Sequence, residues 1–287
     1  MKRVLITGAQ GLLGKEIAKV FCGAGFDVRE TDLDELDVTD LTACHEAVSY
    51  IRPQIVIHCA AYTAVDRAES EERAAFILNE KGTRNVAAVC QKSGALVVTF
   101  GTDYVFDGTL GRPYREEDQV HPLSVYGKSK LAAEEALRES GCEHLLVRTQ
   151  WLYGLGGKNF IATILDKARK GDALKVASDQ TGCPTFTRDL AAAVLRLTEA
   201  GARGTVHFSN EGETSWFELA RFAIEREGLS GVTLLPAATR DLPYPAPRPV
   251  YSVLDKEKYR RITGDSPRTW EEAAEEFLSV ISAGGAV

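Results

Sequence analysis

Tyr126 and Lys130 stand four positions apart in the string Tyr126-Gly127-Lys128-Ser129-Lys130, 24 residues after Thr102 at the end of an apolar run. On a helix, positions i and i+4 share a face, one turn apart. An ammonium placed there can lower the pKa of the phenol and hold a cofactor ribose. The phenol can then hand a proton to a carbonyl that is receiving a hydride. Thr102, at a strand end, could hydrogen-bond that carbonyl and polarise it. A Tyr-x-x-x-Lys pair is common, and its plain alternative is a surface pair without chemistry. The start of the chain shifts the balance toward catalysis.

That start runs Lys2-Arg3-Val4-Leu5-Ile6-Thr7-Gly8-Ala9-Gln10-Gly11-Leu12-Leu13-Gly14. Val4 to Thr7 reads as a short buried strand and Leu12 to Ala24 as an amphipathic helix. Gly8, Gly11 and Gly14 fall between them at G-x-x-G-x-x-G spacing. Gly8 would permit the tight turn. Gly11 would let backbone N–H groups reach a pyrophosphate at the helix N-terminus. Gly14 would let the helix pack close to the strand. Asp32, in Thr31-Asp32-Leu33-Asp34-Glu35-Leu36-Asp37-Val38, would follow the second strand. A carboxylate there accepts both hydroxyls of an adenosine ribose and repels a 2′-phosphate. A charged turn is its bland alternative. Ala60, Ala61 and Tyr62 follow the third strand, where small residues leave room for a nicotinamide ribose or simply pack closely.

These residues need a frame, and the apolar runs supply one. Strands are expected at Phe26 to Glu30, Gln54 to His58, Ala95 to Gly101 and His144 to Arg148. Helices are expected at Asp40 to Ile51, with Thr39 as cap, and at Ser124 to Glu139. Asp66 to Ser93 reads as mostly helical with an interruption near Gly82. Apolar strands without polar alternation, joined by helices, imply an α/β fold: a doubly wound, Rossmann-like parallel sheet covered on both faces. Beyond Thr149 regularity weakens. Asn159 to Lys170, Arg188 to Glu199 and Trp216 to Glu227 look helical, and Leu174 to Ala177 and Thr205 to Phe208 look like strands. Pro236 to Pro249 should be irregular, and Ser282 to Val287 disordered. Residues 1–149 are expected to form a dinucleotide-binding domain, and 150–287 a smaller substrate lobe interleaved with the main sheet.

The chain has 287 residues, 44% hydrophobic and 26% charged, which is ordinary for a globular protein with a large core. A net charge of −7 without a basic stripe argues against a nucleic-acid partner. No apolar run reaches membrane-spanning length, and no signal peptide precedes the first strand, so a cytoplasmic location is expected. The six cysteines, Cys22, Cys44, Cys59, Cys90, Cys142 and Cys183, are scattered without C-x-x-C spacing and read as reduced thiols.

Thr102, Tyr126 and Lys130 beside an N-terminal glycine loop are the constellation of the short-chain dehydrogenase/reductase superfamily. Within its extended branch the chain resembles the dTDP-4-dehydrorhamnose reductase family along nearly its whole length. The matching strings are Thr7 to Gly14, Glu35 to Asp40, Ala60 to Asp66, Thr102 to Gly108, Val125 to Lys130, Arg148 to Gly154, Asp179 to Thr185 and Arg248-Pro249. The resemblance implies that Gly11, Leu12 and Leu13 line the pyrophosphate and that Asp32 faces the adenosine ribose. Asp37 and Val38 would flank the adenine, and Ala60, Ala61 and Tyr62 would pass along the cofactor. Thr102 and Asp103 would touch the sugar. Trp151, which by itself reads as a core aromatic, would form part of its pocket.

The implied activity is NAD(P)H-dependent reduction of dTDP-4-dehydrorhamnose to dTDP-L-rhamnose. Family members often carry Arg after the aspartate that ends the second strand. Leu33 stands there in this chain, which favours NADH over NADPH. Asn-Ser-Arg usually follows the Arg-Pro pair; here the run is Val250-Tyr251-Ser252-Val253. Some members dimerise through magnesium held by glutamates. Glu16 matches one such position and Arg188 replaces another, so no metal site is expected, and a homodimer stays open. Another nucleotide-sugar reductase or epimerase is the enzymatic alternative, although no second acid/base partner can be located. A non-catalytic cofactor-binding subunit is the alternative of another class; intact Thr102, Tyr126 and Lys130 argue against it.

Overall fold

The apolar run after Lys2 forms β1 (Arg3–Thr7), and α1 (Leu12–Gly23) returns the chain to β2 (Asp27–Thr31) in the computed structural model, which describes residues 1–284. The alternation continues through α2 (Leu41–Ile51), β3 (Ile55–His58), α3 (Val65–Ala68), α4 (Glu72–Phe76) and α5 (Gly82–Ser93). Then come β4 (Leu96–Thr102), α6 (Val125–Glu139) and β5 (His144–Thr149).

β6 (Leu152–Tyr153), α7 (Phe160–Arg169), β7 (Leu174–Ala177), β8 (Thr181–Gly182), β9 (Thr185–Phe186), α8 (Thr187–Glu199) and β10 (Gly204–His207) follow. The chain closes with β11 (Thr214–Ser215), α9 (Trp216–Arg226), β12 (Leu234–Ala237), α10 (Glu257–Thr263) and α11 (Trp270–Ser282).

Six strands form the main sheet in the order β10-β5-β4-β3-β1-β2, and every pair is parallel. Consecutive strand residues face opposite sides, and both sides are apolar. Val4, Ile6, Ile57, Val98 and Val147 pack with Ile17 and Phe21 of α1 and Leu190 and Val194 of α8. Leu5, Val56, Val97 and Leu146 pack with Val48 of α2, Val86 of α5 and Leu137 of α6. This two-sided burial is why the strands read as continuous apolar runs. The sheet brings the C-terminal ends of β1, β3 and β4 together in register, with Thr7 beside His58 and His58 beside Thr99. The sheet and its cover reach beyond Thr149, since β10 and α8 belong to them. Elsewhere Tyr153, Phe186, Leu219, Trp270 and Phe277 form one apolar cluster, and Ile164, Leu174, Val176 and Ile224 another.

Several expectations need correction. The cap of α2 is Asp40, whose Oδ1 accepts from Thr42 N at 2.8 Å and Ala43 N at 3.2 Å; Thr39 instead binds Asp37. Residues 66–93 break after Ala68, and a π-helical turn (Ile77–Lys81) precedes α5. That wider turn carries Asn79, which is buried. Within the proline-rich stretch, Leu234–Ala237 forms β12 beside β7, an edge position where Pro236 is tolerated. Sequence reading missed α10 and α11, although Thr269 and Glu272 form a capping box before Trp270. Ser282 closes α11, and its hydroxyl donates to Glu227 at 2.7 Å, so the expected disorder does not begin there; residues 285–287 lie outside the described residues. No described helix is long and apolar enough to cross a membrane.

α1 sits against β1 because Gly14 has no side chain. A Cβ at Gly14 would lie 2.4 Å from the carbonyl oxygen of Gly8 and 2.8 Å from Cα of Ala9, whereas one at Gly23 would meet nothing within 4 Å. Gly14→Ala should therefore lower unfolding free energy by about 1–3 kcal/mol, the usual scale of overpacking. Gly23→Ala should be neutral or stabilising by up to about 1 kcal/mol. Urea denaturation of the two variants checks this, and equal midpoints would refute it.

Candidate active site

Gly8 leaves β1 in the left-handed region, at φ +66°, and a Cβ there would lie 2.6 Å from Ala60 N. The N–H of Gly11 closes the turn onto the carbonyl of Gly8 at 3.1 Å. Gly11 then caps α1 without any side-chain acceptor, so the first-turn amides of Leu12 and Leu13 keep their donors. The side chain of Leu13 is buried in the core, while that of Leu12 faces the Gly157 loop. Beside this turn runs a cleft of about 430 Å³, lined by Gly8, Gly11, Asp32, Leu33, Asp37, Val38, Cys59, Ala60 and Ala61 among others. Free amides at a helix N-terminus, a floor of glycine and alanine, and a carboxylate at the far strand end suit an elongated anionic dinucleotide. Asp32 is tied to the loop, its carboxylate accepting from Gln10 N at 2.9 Å and Leu33 N at 2.8 Å.

Tyr126 and Lys130 lie on α6, whose start is held from two sides. Ser124 Oγ accepts from Gly127 N at 3.1 Å, and Glu69 accepts from Val125 N at 2.8 Å. Gly127 allows the first turn to rest on the 3₁₀ turn Asp103–Val105, because a Cβ there would lie 2.3 Å from the carbonyl oxygen of Tyr104. The Tyr126 ring meets the edge of Tyr104, 5.6 Å between centroids. Burial pushes the Tyr126 phenol up to about 12, the Thr102 hydroxyl opposes this, and Asp103 adds to it. Burial brings Lys130 down to about 8, against the attraction of Glu134 and Cys59. Cys59 also lines the cleft. Thr102 caps the turn after β4, accepting from Tyr104 N at 3.2 Å and donating to Asp103 at 3.1 Å. Burial raises the Asp103 carboxyl to about 7, opposed by hydrogen bonds from Ser252 and Thr102.

Two supports escaped sequence reading, and a third joins residues of two matched strings. Asn79 receives Tyr62 N at 2.8 Å and donates to Tyr62 O at 3.2 Å and to Ser129 Oγ at 2.9 Å. Ser129 donates in turn to the carbonyl of Tyr126 at 2.8 Å. One buried amide thus fixes the loop after β3 to the helix carrying Tyr126. Ser252, in the loop that departs from the family pattern, donates to Asp103 at 2.6 Å. Arg248 pairs with Asp66 at 2.8 Å and lies over the Tyr244 ring. A lone Asn in a helical stretch or a Ser in a loop carries no sequence signal, whereas Asp66 and Arg248 both lay in matched strings.

Trp151 follows β5 at φ +48° and stacks on Trp216, with centroids 3.7 Å apart. Trp216 Nε1 donates to Gln180 at 3.1 Å. Gly182 admits the Trp151 ring, which a Cβ would meet at 2.5 Å. Trp151 is only half-buried and does not belong to a core cluster. Glu16 is buried beside Lys19 at 2.7 Å, and Arg188 pairs with Glu276. Among the described residues no group of three or more His, Cys, Asp or Glu could hold a metal ion. All six cysteines are free thiols.

The RmlD substrate binding domain family matches residues 1–282. A dTDP-4-dehydrorhamnose reductase of Streptomyces griseus is 40% identical over 97% of this chain and 94% of its own length. A dTDP-4-dehydrorhamnose reductase structure from Clostridium acetobutylicum superposes with a TM-score of 0.94, at 39% identity over 98% of this chain and 99% of that one. The Bacillus anthracis enzyme, solved with NADP, gives 0.93 at 38% identity over 97% and 99%. With its glycine turn, its parallel sheet and its Thr102, Tyr126 and Lys130 in place, this chain belongs to the dTDP-4-dehydrorhamnose reductase family.

Proposed function

We propose that this chain reduces the 4-keto group of dTDP-4-dehydrorhamnose to give dTDP-L-rhamnose, using a nicotinamide cofactor. The observation that carries this reading is the buried Tyr126 phenol, acted on by the Thr102 hydroxyl and one helical turn from a buried Lys130, in a chain that also forms a glycine-floored cleft. Gly8, Gly11, Leu12, Leu13 and Gly14 would hold the pyrophosphate, Asp32 the adenosine ribose, and Asp37 and Val38 the adenine. Ala60, Ala61, Tyr62 and Lys130 would hold the nicotinamide half. The cofactor, when bound, supplies a hydride. Thr102 orients the sugar carbonyl, and Tyr126 gives its proton to the carbonyl oxygen, so that a C–H and an O–H bond form as the π bond of the C=O breaks and the C–O single bond remains. Asp103 and Trp151 border the sugar. Residues 1–149 hold the cofactor in this scheme, and 150–287 chiefly enclose the sugar nucleotide.

Asp32 sets the cofactor choice. Leu33 beside it is exposed and uncharged; Arg29 is paired with Asp27, and Lys15 donates to the carbonyl of Gly156. A 2′-phosphate would meet a carboxylate with no cation committed to it. Tenfold discrimination needs only about 1.4 kcal/mol. NADH should therefore serve at least as well as NADPH, and Asp32→Ser with Leu33→Arg should move the preference toward NADPH. The ratio of kcat/KM for the two cofactors in both proteins decides it; a strong NADPH preference in the wild type would refute the assignment.

Tyr126→Phe should cut kcat by about 10²–10⁴ and leave NADH affinity within a few-fold. Near-normal turnover by this variant would remove Tyr126 from the mechanism.

The pH profile separates the two groups. Tyr126 holds its proton to about pH 12 and remains a donor throughout the working range. Lys130 is charged below about pH 8 and neutral above, so kcat/KM should fall as pH rises through 8. Lys130→Arg keeps a charge at every accessible pH and should abolish that alkaline limb, whatever it does to the maximal rate. A limb that persists in Lys130→Arg would assign the titration elsewhere.

A further inference from the structure

The face of α6 that bears Tyr126 and Lys130 continues to Glu134, at i, i+4 and i+8. Glu134 is buried, and Arg148 of β5 grips it with two parallel bonds, Nε to Oε1 at 2.9 Å and Nη2 to Oε2 at 2.7 Å. Arg148 is equally buried, against the Phe106 ring, with His207 of β10 behind it. The pair occupies space that β4 leaves open at Gly101, where a Cβ would lie 2.7 Å from both Glu134 Oε1 and Arg148 Cγ. A buried ion pair is seldom a net gain in stability over well-packed apolar residues. Its place in this chain, one turn below Lys130, calls for another account.

We propose that Glu134, held by Arg148 in the gap at Gly101, is a positioning residue that keeps a negative charge beneath the Lys130 ammonium. This inference rests on the role given to Lys130 above. From β3 the ammonium is faced by His58 and Cys59, and from its own helix by Glu134. His58 is buried, held neutral with its value down to about 3, and so adds no charge. Asp103, from the turn after β4, acts on Tyr126. Elements packed on the other side contribute little: Arg84 of α5 is exposed and paired with Glu80 and Glu139, and Asp66 of α3 is paired with Arg248. Glu69 is spent on the backbone of Val125. Glu134 is therefore the carboxylate that opposes the desolvation of Lys130. Arg138 also approaches it, at 3.6 Å, but from solvent.

The test is the ionisation of Lys130 in the whole protein, read from the ¹³Cε resonance of labelled lysine and assigned by its loss in Lys130→Arg. Glu134→Gln should lower the titration midpoint by about one pH unit, the lower end of what a nearby opposite charge is worth. The unopposed Arg148 acts in the same direction. The double variant Glu134→Gln with Arg148→Met leaves no lone buried charge, guards against loss of fold, and should show a downward shift smaller than that of Glu134→Gln alone. Glu134→Asp, which keeps the charge but spoils the bidentate geometry, should stay near the wild-type midpoint. The alkaline limb of kcat/KM for dTDP-4-dehydrorhamnose should move with the resonance. A wild-type midpoint in both Gln variants overturns the role of Glu134, even if their activity is reduced. If Lys130→Arg retains the alkaline limb, the reading of Lys130 falls instead, and the resonance still decides what Glu134 does.

Discussion

The architecture depends on how closely three backbone segments approach one another at the head of β1. Gly8 lies against the amide of Ala60, and Gly14 lies against the carbonyl of Gly8. Neither contact leaves room for a methyl group. Together they set the distance of α1 from the sheet, the direction of its first amides and the height of the loop after β3. The cleft exists because these segments are close and bare. Everything on α6 is then measured from the same loop, through Asn79.

Asn79 and Glu134 divide the labour of holding α6. Asn79 fixes the helix laterally, linking Tyr62 to Ser129 and so to the backbone of Tyr126. The Glu134–Arg148 pair fixes it against β4 and β5. Polar groups buried this deeply cost free energy unless they are fully partnered. Here the partners are the elements that must not move relative to the phenol. Rigidity and electrostatics thus come from the same side chains.

Much of this was legible in the residues themselves. The parallel sheet was announced by apolar runs that do not alternate, and two-sided packing explains them. The glycine spacing and the i, i+4 relation of Tyr126 and Lys130 each have a local cause and were found. What escaped has none. The π-helical turn that turns Asn79 inward differs by one residue from ordinary helix, and no periodicity of so short a stretch shows it. Ser252 reaches Asp103 across 149 positions of sequence, and a hydroxyl in a loop looks like any other. α11 is the exception, since its capping box, Thr269 with Glu272, is a local signal.

The bonds from Ser252 to Asp103 and from Arg248 to Asp66 span 149 and 182 positions of the chain. β10 likewise closes the edge of a sheet begun by β1. A polypeptide emerging from the ribosome N-terminus first can build the glycine turn early, since its parts are neighbours in sequence. It cannot complete the surroundings of Asp103 until more than four-fifths of the chain exists. Such long-range closure is slow to form, because loop entropy is lost before the contact is gained. The order of synthesis therefore separates the two halves of the site in time: the part that could grip a dinucleotide comes first, and the part that enframes the carbonyl comes last.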